Sequence, residues 1–343
     1  MIFPEYLKAG DTIGVTALSH SIEKEQDQIR FRNAEKMLAL QNYSVRFTQN
    51  VFLTSDRYGR SSSAAQKTKE LQTLLLDPSV KAIYSAAGGD FLAEILPYVD
   101  LDAWKEHPKW LQGYSDNTSI LYYLTTRADI ATAYGANFGD FGMGVWDESV
   151  KRGLQVLEGK CREQKSFLTY QNGFGSREDG LEGYQADEKV EWKCINSSEK
   201  QVTFSGRLLG GCLDVLLNLA GTPYDGTLDF IEKYKKDGII WYLESFDLHF
   251  EQLMEGLWKL KEMGWFSHVK GFVFGRPLFY PMESWDGTPL PTYDEILLER
   301  LAMFNVPIIT GADIGHKGPQ FVTINGALAS IECGAGKGVM KYI

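Results

Sequence analysis

The chain predicts an α/β protein built in two parts around mainly parallel sheet, and three observations carry that expectation. Short apolar runs alternate with amphipathic helical segments from residue 12 onward, which is the rhythm of β-α-β units. Polar stretches containing glycine stand directly after several of those runs, where a parallel sheet gathers its ligands. Between about Cys161 and Lys200 the periodicity lapses into polar, irregular sequence and then restarts. This places a first domain over 1–160, a junction over 161–200 and a second domain over 201–343.

In order, Thr12 to Leu18 (TIGVTAL) reads as a buried strand, followed by a charged helical segment from about Glu23 to Leu40 and a short strand at Tyr43 to Phe47. The serines 61–63 can cap a helix carrying Ala64, Leu71, Leu74 and Leu75, which Asp77-Pro78 ends. Val80 to Ala86 is a third strand with Gly88-Gly89-Asp90 directly after it, and Phe91 to Leu96 begins another helix before Pro97. Lys109 to Leu124 (KWLQGYSDNTSILYYL) sets Ser115 between an extended run and a helix whose apolar residues Ile120, Leu121, Leu124 and Ala128 recur at helical spacing. Ala133 to Phe138 supplies one more strand end. The segment FGDFGMGVWDES then reads as a mobile surface connection, with a substrate lid as its alternative use.

The second half restarts with a strand over Val202 to Leu209, a packing turn at Gly210-Gly211 and a helix over Cys212 to Leu219. Gly238 to Leu243 is a buried strand that delivers Glu244 at its carboxyl end. A helix from about Phe250 to Met263 stops at Gly264. Val269 to Gly275, a helix over about Tyr293 to Phe304, and Val306 to Thr310 continue the pattern, and GADIGHKGPQ puts His316 in a glycine-bounded loop past the last of these strands.

Composition narrows the function classes. With 343 residues, 44% hydrophobic and 23% charged, the chain is long enough for two packed cores. A net charge of −10 without basic clusters argues against nucleic acid as a partner. No run of 18 apolar residues predicts a membrane span, and MIFPEYLKAGDTIGV lacks the basic and apolar regions of a secretory leader, so the expected compartment is the cytoplasm. Cys161, Cys194, Cys212 and Cys333 are scattered, and the five histidines form no close ligand pair; neither a disulfide framework nor a metal site is signalled, and no cofactor is expected.

Ser115, Glu244 and His316 each lie just beyond a predicted strand, in loops whose side chains can converge. A serine hydroxyl becomes nucleophilic when an imidazole takes its proton, and the imidazole needs a carboxylate to fix its tautomer and stabilise its cation. A strand-to-helix turn at Ser115 would also aim the following amides, starting with Asp116, at a developing oxyanion. Asp313, three residues before His316, is the rival orienting carboxylate, and His249 the weaker rival base because it stands at the start of a helix. Taken singly, Ser115 and Asp116 also suit helix capping, Glu244 a strand-end carboxylate and His316 a loop hydrogen bond.

The ordered motifs GDTIGV, DPSVKAIYSAAGGD, LQGYSDNTSIL, GRLLGGCLDVLLNLAGT, IIWYLES and VPIITGADIGHKGP resemble those of the LD-carboxypeptidase family of serine peptidases, which also contains the microcin C immunity peptidases. The resemblance spans nearly the whole chain. It implies a Rossmann-like N-terminal domain and a separate C-terminal domain that contributes Glu244 and His316, and often a homodimer. It also implies Ser115 as nucleophile, Glu244 as triad carboxylate, His316 as base, and the backbone amides of Gly89 and Asp116 as oxyanion hole. Peptidoglycan-recycling members typically have R-G-G-Y where this chain has Ala87-Gly88-Gly89-Asp90, which is closer to the immunity branch.

The expected reaction is removal of a C-terminal residue or group from a small peptide. A murein tetrapeptide is the first substrate candidate and a peptidyl-nucleotide the alternative. Phe138, Phe141 and Trp146 are candidates for stacking on such a substrate. The rival functions are an α/β-hydrolase esterase, which the missing G-x-S-x-G weighs against, and a small-molecule binding protein without catalysis.

Overall fold

The computed structural model describes all residues, Met1–Ile343, and the chain divides into two compact units. Met1–Arg162 opens with β1 (Thr12–Thr16), α1 (Glu25–Leu40), β2 (Ser44–Phe47), α2 (Ala64–Leu76), β3 (Val80–Ser85) and α3 (Leu101–Glu106). It continues with β4 (Trp110–Gly113), α4 (Thr118–Ala128), β5 (Thr132–Tyr134) and α5 (Glu148–Leu157). The polar stretch that follows holds four short strands, β6 (Glu163–Lys165), β7 (Thr169–Tyr170), β8 (Glu188–Lys189) and β9 (Lys193–Cys194). Then come β10 (Gln201–Cys212), α6 (Leu213–Leu219), α7 (Thr227–Tyr234), β11 (Ile239–Glu244), α8 (Phe250–Glu262), β12 (Val269–Gly275), α9 (Tyr293–Leu301) and β13 (Ile308–Ala312). Last are β14 (Thr323–Asn325), β15 (Leu328–Gly334) and β16 (Lys337–Tyr342).

The first unit is a parallel sheet in the order β2-β1-β3-β4-β5, with β14 added antiparallel on β5. Its strands β1, β3 and β4 are all but fully buried because they are apolar on both faces, as strands covered by helices must be. Being parallel neighbours, they end at one edge and deliver there the segments that begin at Ala17, Ala86 and Tyr114. Ser63 caps α2 by accepting the Gln66 N–H.

The second unit is an eight-stranded sheet, β6-β16-β15-β10-β11-β12-β13-β9, whose centre β10-β11-β12-β13 is parallel and whose flanks are antiparallel. Residues Ile239 to Leu243 of β11 have no solvent-exposed surface, which accounts for the clarity of that strand in the sequence. No helix is long and apolar enough to cross a membrane.

Four expectations change. The glycine pair 210–211 is not a turn: β10 runs through it, and a side chain at Gly210 would put its Cβ 1.7 Å from the Tyr242 carbonyl oxygen on β11. The junction 161–200 carries strands, two of which join the second sheet. Residues 175–185 and 321–326 belong with the first unit, so neither unit is a single stretch of chain. Finally, FGDFGMGVWDES is no surface loop. Its Phe138, Phe141 and Trp146 are buried, with Phe138 against Phe31, Phe141 against Tyr84 and Trp146 against Phe141, and the Trp146 indole N–H donates to the Phe141 carbonyl at 2.6 Å. With 7% of Trp146 exposed, its ring is a core component.

Candidate active site

In the first unit, β4 ends at Gly113 and a single 3-10 turn, Ser115–Asn117, leads into α4. Ser115 occupies the left-handed region at φ 65, a conformation that a non-glycine residue holds only where its surroundings enforce it. The enforcement is visible. The Ser115 N–H donates to the Tyr134 hydroxyl at 3.2 Å, the Tyr114 N–H to Asn137 Oδ1 at 3.2 Å, and the buried Asn117 amide to the carbonyls of Tyr114 (2.9 Å) and Ala87 (3.1 Å). Asn117 thereby ties the serine turn to the loop after β3. Gly88 of that loop faces Ser115 so closely that a Cβ on it would lie 3.2 Å from Oγ. Gly89 and Asp116, the two amides expected at an oxyanion, thus belong to segments held against each other. A cavity of about 570 Å³ opens beside them, with Gly88, Tyr114, Lys24, Asp27, Asp140 and Arg177 among its lining residues.

In the second unit, β11 delivers Glu244 and the loop after β13 delivers His316 at the carboxyl ends of two parallel strands. Glu244 has no exposed surface and His316 is 7% exposed. His316 Nδ1 lies 2.8 Å from Glu244 Oε2. A carboxylate only accepts, so Nδ1 carries the proton and the lone pair of the neutral ring is on Nε2. Burial pushes the imidazole down, but the Glu244 carboxylate and its hydrogen bond more than offset this, and the net effect is a raised pKa. Gly315 makes the approach possible. At φ 95 it turns the loop onto Glu244, and a Cβ there would sit 2.5 Å from Glu244 Oε2.

Asp313 has other partners. Its carboxylate accepts from Arg276 Nη2 at 3.1 Å, Trp192 Nε1 at 2.9 Å and the Phe167 N–H at 3.3 Å, and has no exposed surface. Arg276 also donates to the carbonyls of Gly311 (2.8 Å) and Lys317 (3.1 Å), gripping the His316 loop on both sides. His249 is the N-cap residue of α8, its N–H donating to Gln252 Oε1 at 3.0 Å.

Sequence reasoning missed three groups. Arg276 stands one residue past β12, a position whose significance depends on the loop that folds over it. Asp214, in the first turn of α6, accepts the N–H groups of Phe246 and Asp247 at 2.9 Å each and so fixes the turn after Glu244; in the sequence, the run GGCLDV signals only a helix start. An aromatic cluster of Phe174, Phe246 and Phe279 stands beside His316, with the Phe246 ring 5.0 Å from the imidazole and Phe174 64% exposed.

Comparison with known proteins bears on both units. The family model of the LD-carboxypeptidase N-terminal domain matches residues 13–135, and that of the LD-carboxypeptidase C-terminal domain matches residues 205–331. A Vibrio cholerae protein that carries a provisional carboxypeptidase name is 27% identical over 97% of this chain and 95% of its own length. The microcin C7 self-immunity protein of Escherichia coli is 24% identical over 95% of this chain and 92% of its own. The crystal structure of an MccF-like protein from Bacillus anthracis superposes with a TM-score of 0.82 at 26% identity, covering 100% of this chain and 99% of the other.

Proposed function

The chain belongs to the LD-carboxypeptidase family of serine peptidases, and on that premise we propose that it hydrolyses the bond before the C-terminal residue or group of a small peptide, using Ser115, His316 and Glu244. The observation that carries this reading is the buried Glu244–His316 hydrogen bond at the carboxyl edge of the second sheet, a pair with the polarity a serine's general base requires. The strained turn that presents Ser115 supports it from the first unit.

In this mechanism Ser115 Oγ attacks the scissile carbonyl carbon while its proton passes to His316 Nε2. The carbonyl oxygen becomes an oxyanion that accepts from the amides of Gly89 and Asp116. Collapse breaks the C–N bond as His316 returns the proton to the leaving nitrogen. Water, deprotonated by the same imidazole, then attacks the acyl-enzyme and releases the acid and Ser115. Glu244 holds the ring and stabilises its cation. The cavity beside Gly88 and Tyr114 is of a size for a small peptide's acyl portion.

For the substrate we take the murein tetrapeptide first, on the family's own activity. One observation favours the second reading, a peptidyl-nucleotide: Phe174, Phe246 and Phe279 offer an aromatic face next to His316, which is where a leaving group would stand. Both readings place the enzyme in the cytoplasm as a homodimer, whose mass sedimentation would measure. The deciding experiment incubates wild type and Ser115→Ala with each compound and follows products by mass spectrometry. Ser115-dependent release of D-alanine supports the first reading, and cleavage of the peptidyl-nucleotide alone moves the substrate to the second. Undiminished turnover by Ser115→Ala would overturn the serine mechanism.

A further inference from the structure

Three segments of the first unit meet at the Asp116 side chain. Its Oδ2 accepts the Leu92 N–H at 2.9 Å and lies 2.7 Å from Ser19 Oγ, and Ser19 Oγ lies 2.9 Å from the Asp90 carbonyl oxygen. Ser19 stands just past β1, Asp90 and Leu92 close the loop that carries Gly88 and Gly89, and Asp116 follows Ser115. Three of these residues are interior, Ser19 and Leu92 with no exposed surface and Asp116 7% exposed, whereas Asp90 is exposed.

A serine hydroxyl has one proton and cannot fully serve a carboxylate and a carbonyl at once. With Asp116 ionised, that proton goes to the carboxylate, which accepts from Ser19 and Leu92 together, two charge-assisted bonds that pin the loop at Leu92. With Oδ2 protonated, Asp116 donates to Ser19, Ser19 turns its own proton to the Asp90 carbonyl, and the Leu92 N–H is left with a neutral and poorer acceptor. The loop is therefore held differently in the two states.

Building on the reading of Ser115 as nucleophile and Gly89 as oxyanion donor, we propose that Ser19 and Asp116 are positioning residues. Through Leu92, the ionised pair holds the Gly88–Gly89 loop in register with the Ser115 turn, and protonation of Asp116 re-aims Ser19 at Asp90 and loosens that register.

The charges around the group fit a titration in the working range. Burial pushes the Asp116 carboxyl up, to about 6, against the lowering effect of the Ser19 and Leu92 hydrogen bonds. Facing it are Asp90 on the loop, which raises it further, and Lys67 on α2, which lowers it. Asp90 in turn has His20 Nε2 at 3.9 Å. The His316 imidazole must then lose a proton for activity, loss of the Asp116 proton raises that activity further, and both losses shape the acid limb of the pH profile.

The test uses kcat, KM and kcat/KM of the full-length protein from pH 4.5 to 9, beside a carbon-13 titration of the aspartate carboxyls. Wild type is expected to lose kcat/KM with a slope of one proton as pH falls through the raised His316 value, and more steeply, with a slope approaching two, near pH 6. Asp116→Asn keeps the size and an acceptor but cannot ionise; its acid limb falls with a slope of one, and its kcat at the optimum drops about tenfold with KM little changed, the loss of one charge-assisted bond felt in the transition state. Ser19→Ala removes a bond that lowers the Asp116 pKa, so the acid limb and the carboxyl resonance absent from Asp116→Asn both move to higher pH. An unchanged acid limb in Asp116→Asn overturns the proposal, and so does a Ser19→Ala variant slowed by one factor at every pH. Failure of the parent reading would look different: Ser115→Ala would stay active while the carboxyl titration was as described.

Discussion

Glu244 and Asp313 are two buried carboxylates, each just past or at the end of a parallel strand, and they differ in what they touch. Glu244 meets the imidazole, whereas Asp313 neutralises Arg276. Glu244→Gln is accordingly expected to keep the fold and lose kcat by about 10²- to 10⁴-fold, since an amide neither fixes the tautomer nor stabilises the cation. Its residual activity carries a second signature. The Glu244 charge is the main cause that raises the His316 pKa above its ordinary value, so a base at His316 would be neutral, and active, only above that raised value. Removing the charge leaves burial opposed only by the smaller effect of the Asp214 charge, and the His316 step of the acid limb shifts to lower pH in Glu244→Gln. Asp313→Asn should do the reverse in kind. Arg276 loses its buried counter-charge, stability falls by about 3–5 kcal/mol in a urea titration, and kcat per folded molecule changes far less. The opposite ranking of the two kcat losses would transfer the orienting role to Asp313.

At the scale of elements, what the sequence shows is what a single segment's composition can encode. The strands β1, β3, β4 and β11 are apolar runs ended by glycine or polar residues, and α4 and α8 repeat their apolar residues at helical spacing, so each is readable alone. The Ser115 turn is readable for the same reason, being a local strand-to-helix junction. What failed to show depends on a partner. Gly210 and Gly211 look like a turn until Tyr242 of β11 lies against them, and Phe138, Phe141 and Trp146 look like loop residues until Phe31 and Tyr84 cover them. Asp214 and Arg276 are ordinary polar residues until the loops they hold are folded over them. Gly315 is the sharpest such case, because its need for φ 95 and for no side chain is set by Glu244, 71 residues earlier in the chain. Gly315→Ala is expected to push the loop off Glu244, lengthening the 2.8 Å contact and lowering kcat by roughly 10²-fold with a circular dichroism spectrum like wild type. Wild-type kcat in this variant would show that the close contact is dispensable.

For the molecule as a whole, the family and the sequence of β-α-β units were legible because ordered motifs run through most of the chain. The return of β14 to the first sheet was not, since its three residues carry no pattern distinct from the strands around them. Stability shows how the site burdens the whole. A carboxyl whose folded pKa is raised binds its proton more tightly when folded, so its stabilising effect is full below the unfolded value of about 3.9 and is lost as pH rises through the folded value. For Asp116 that window runs up to about 6. Above it, holding a buried carboxylate beside Ser115 costs on the order of 3 kcal/mol, the linkage equivalent of a rise of about two pKa units. Asp116→Asn stays neutral at every pH and escapes that cost. The variant expected to be slower should therefore be harder to unfold than wild type at pH 8, by up to about 3 kcal/mol, and nearly matched to it at pH 4, in paired urea titrations. Equal stability at both pH values would mean that Asp116 is not held against its own desolvation, and the acid limb would then need another titrating group.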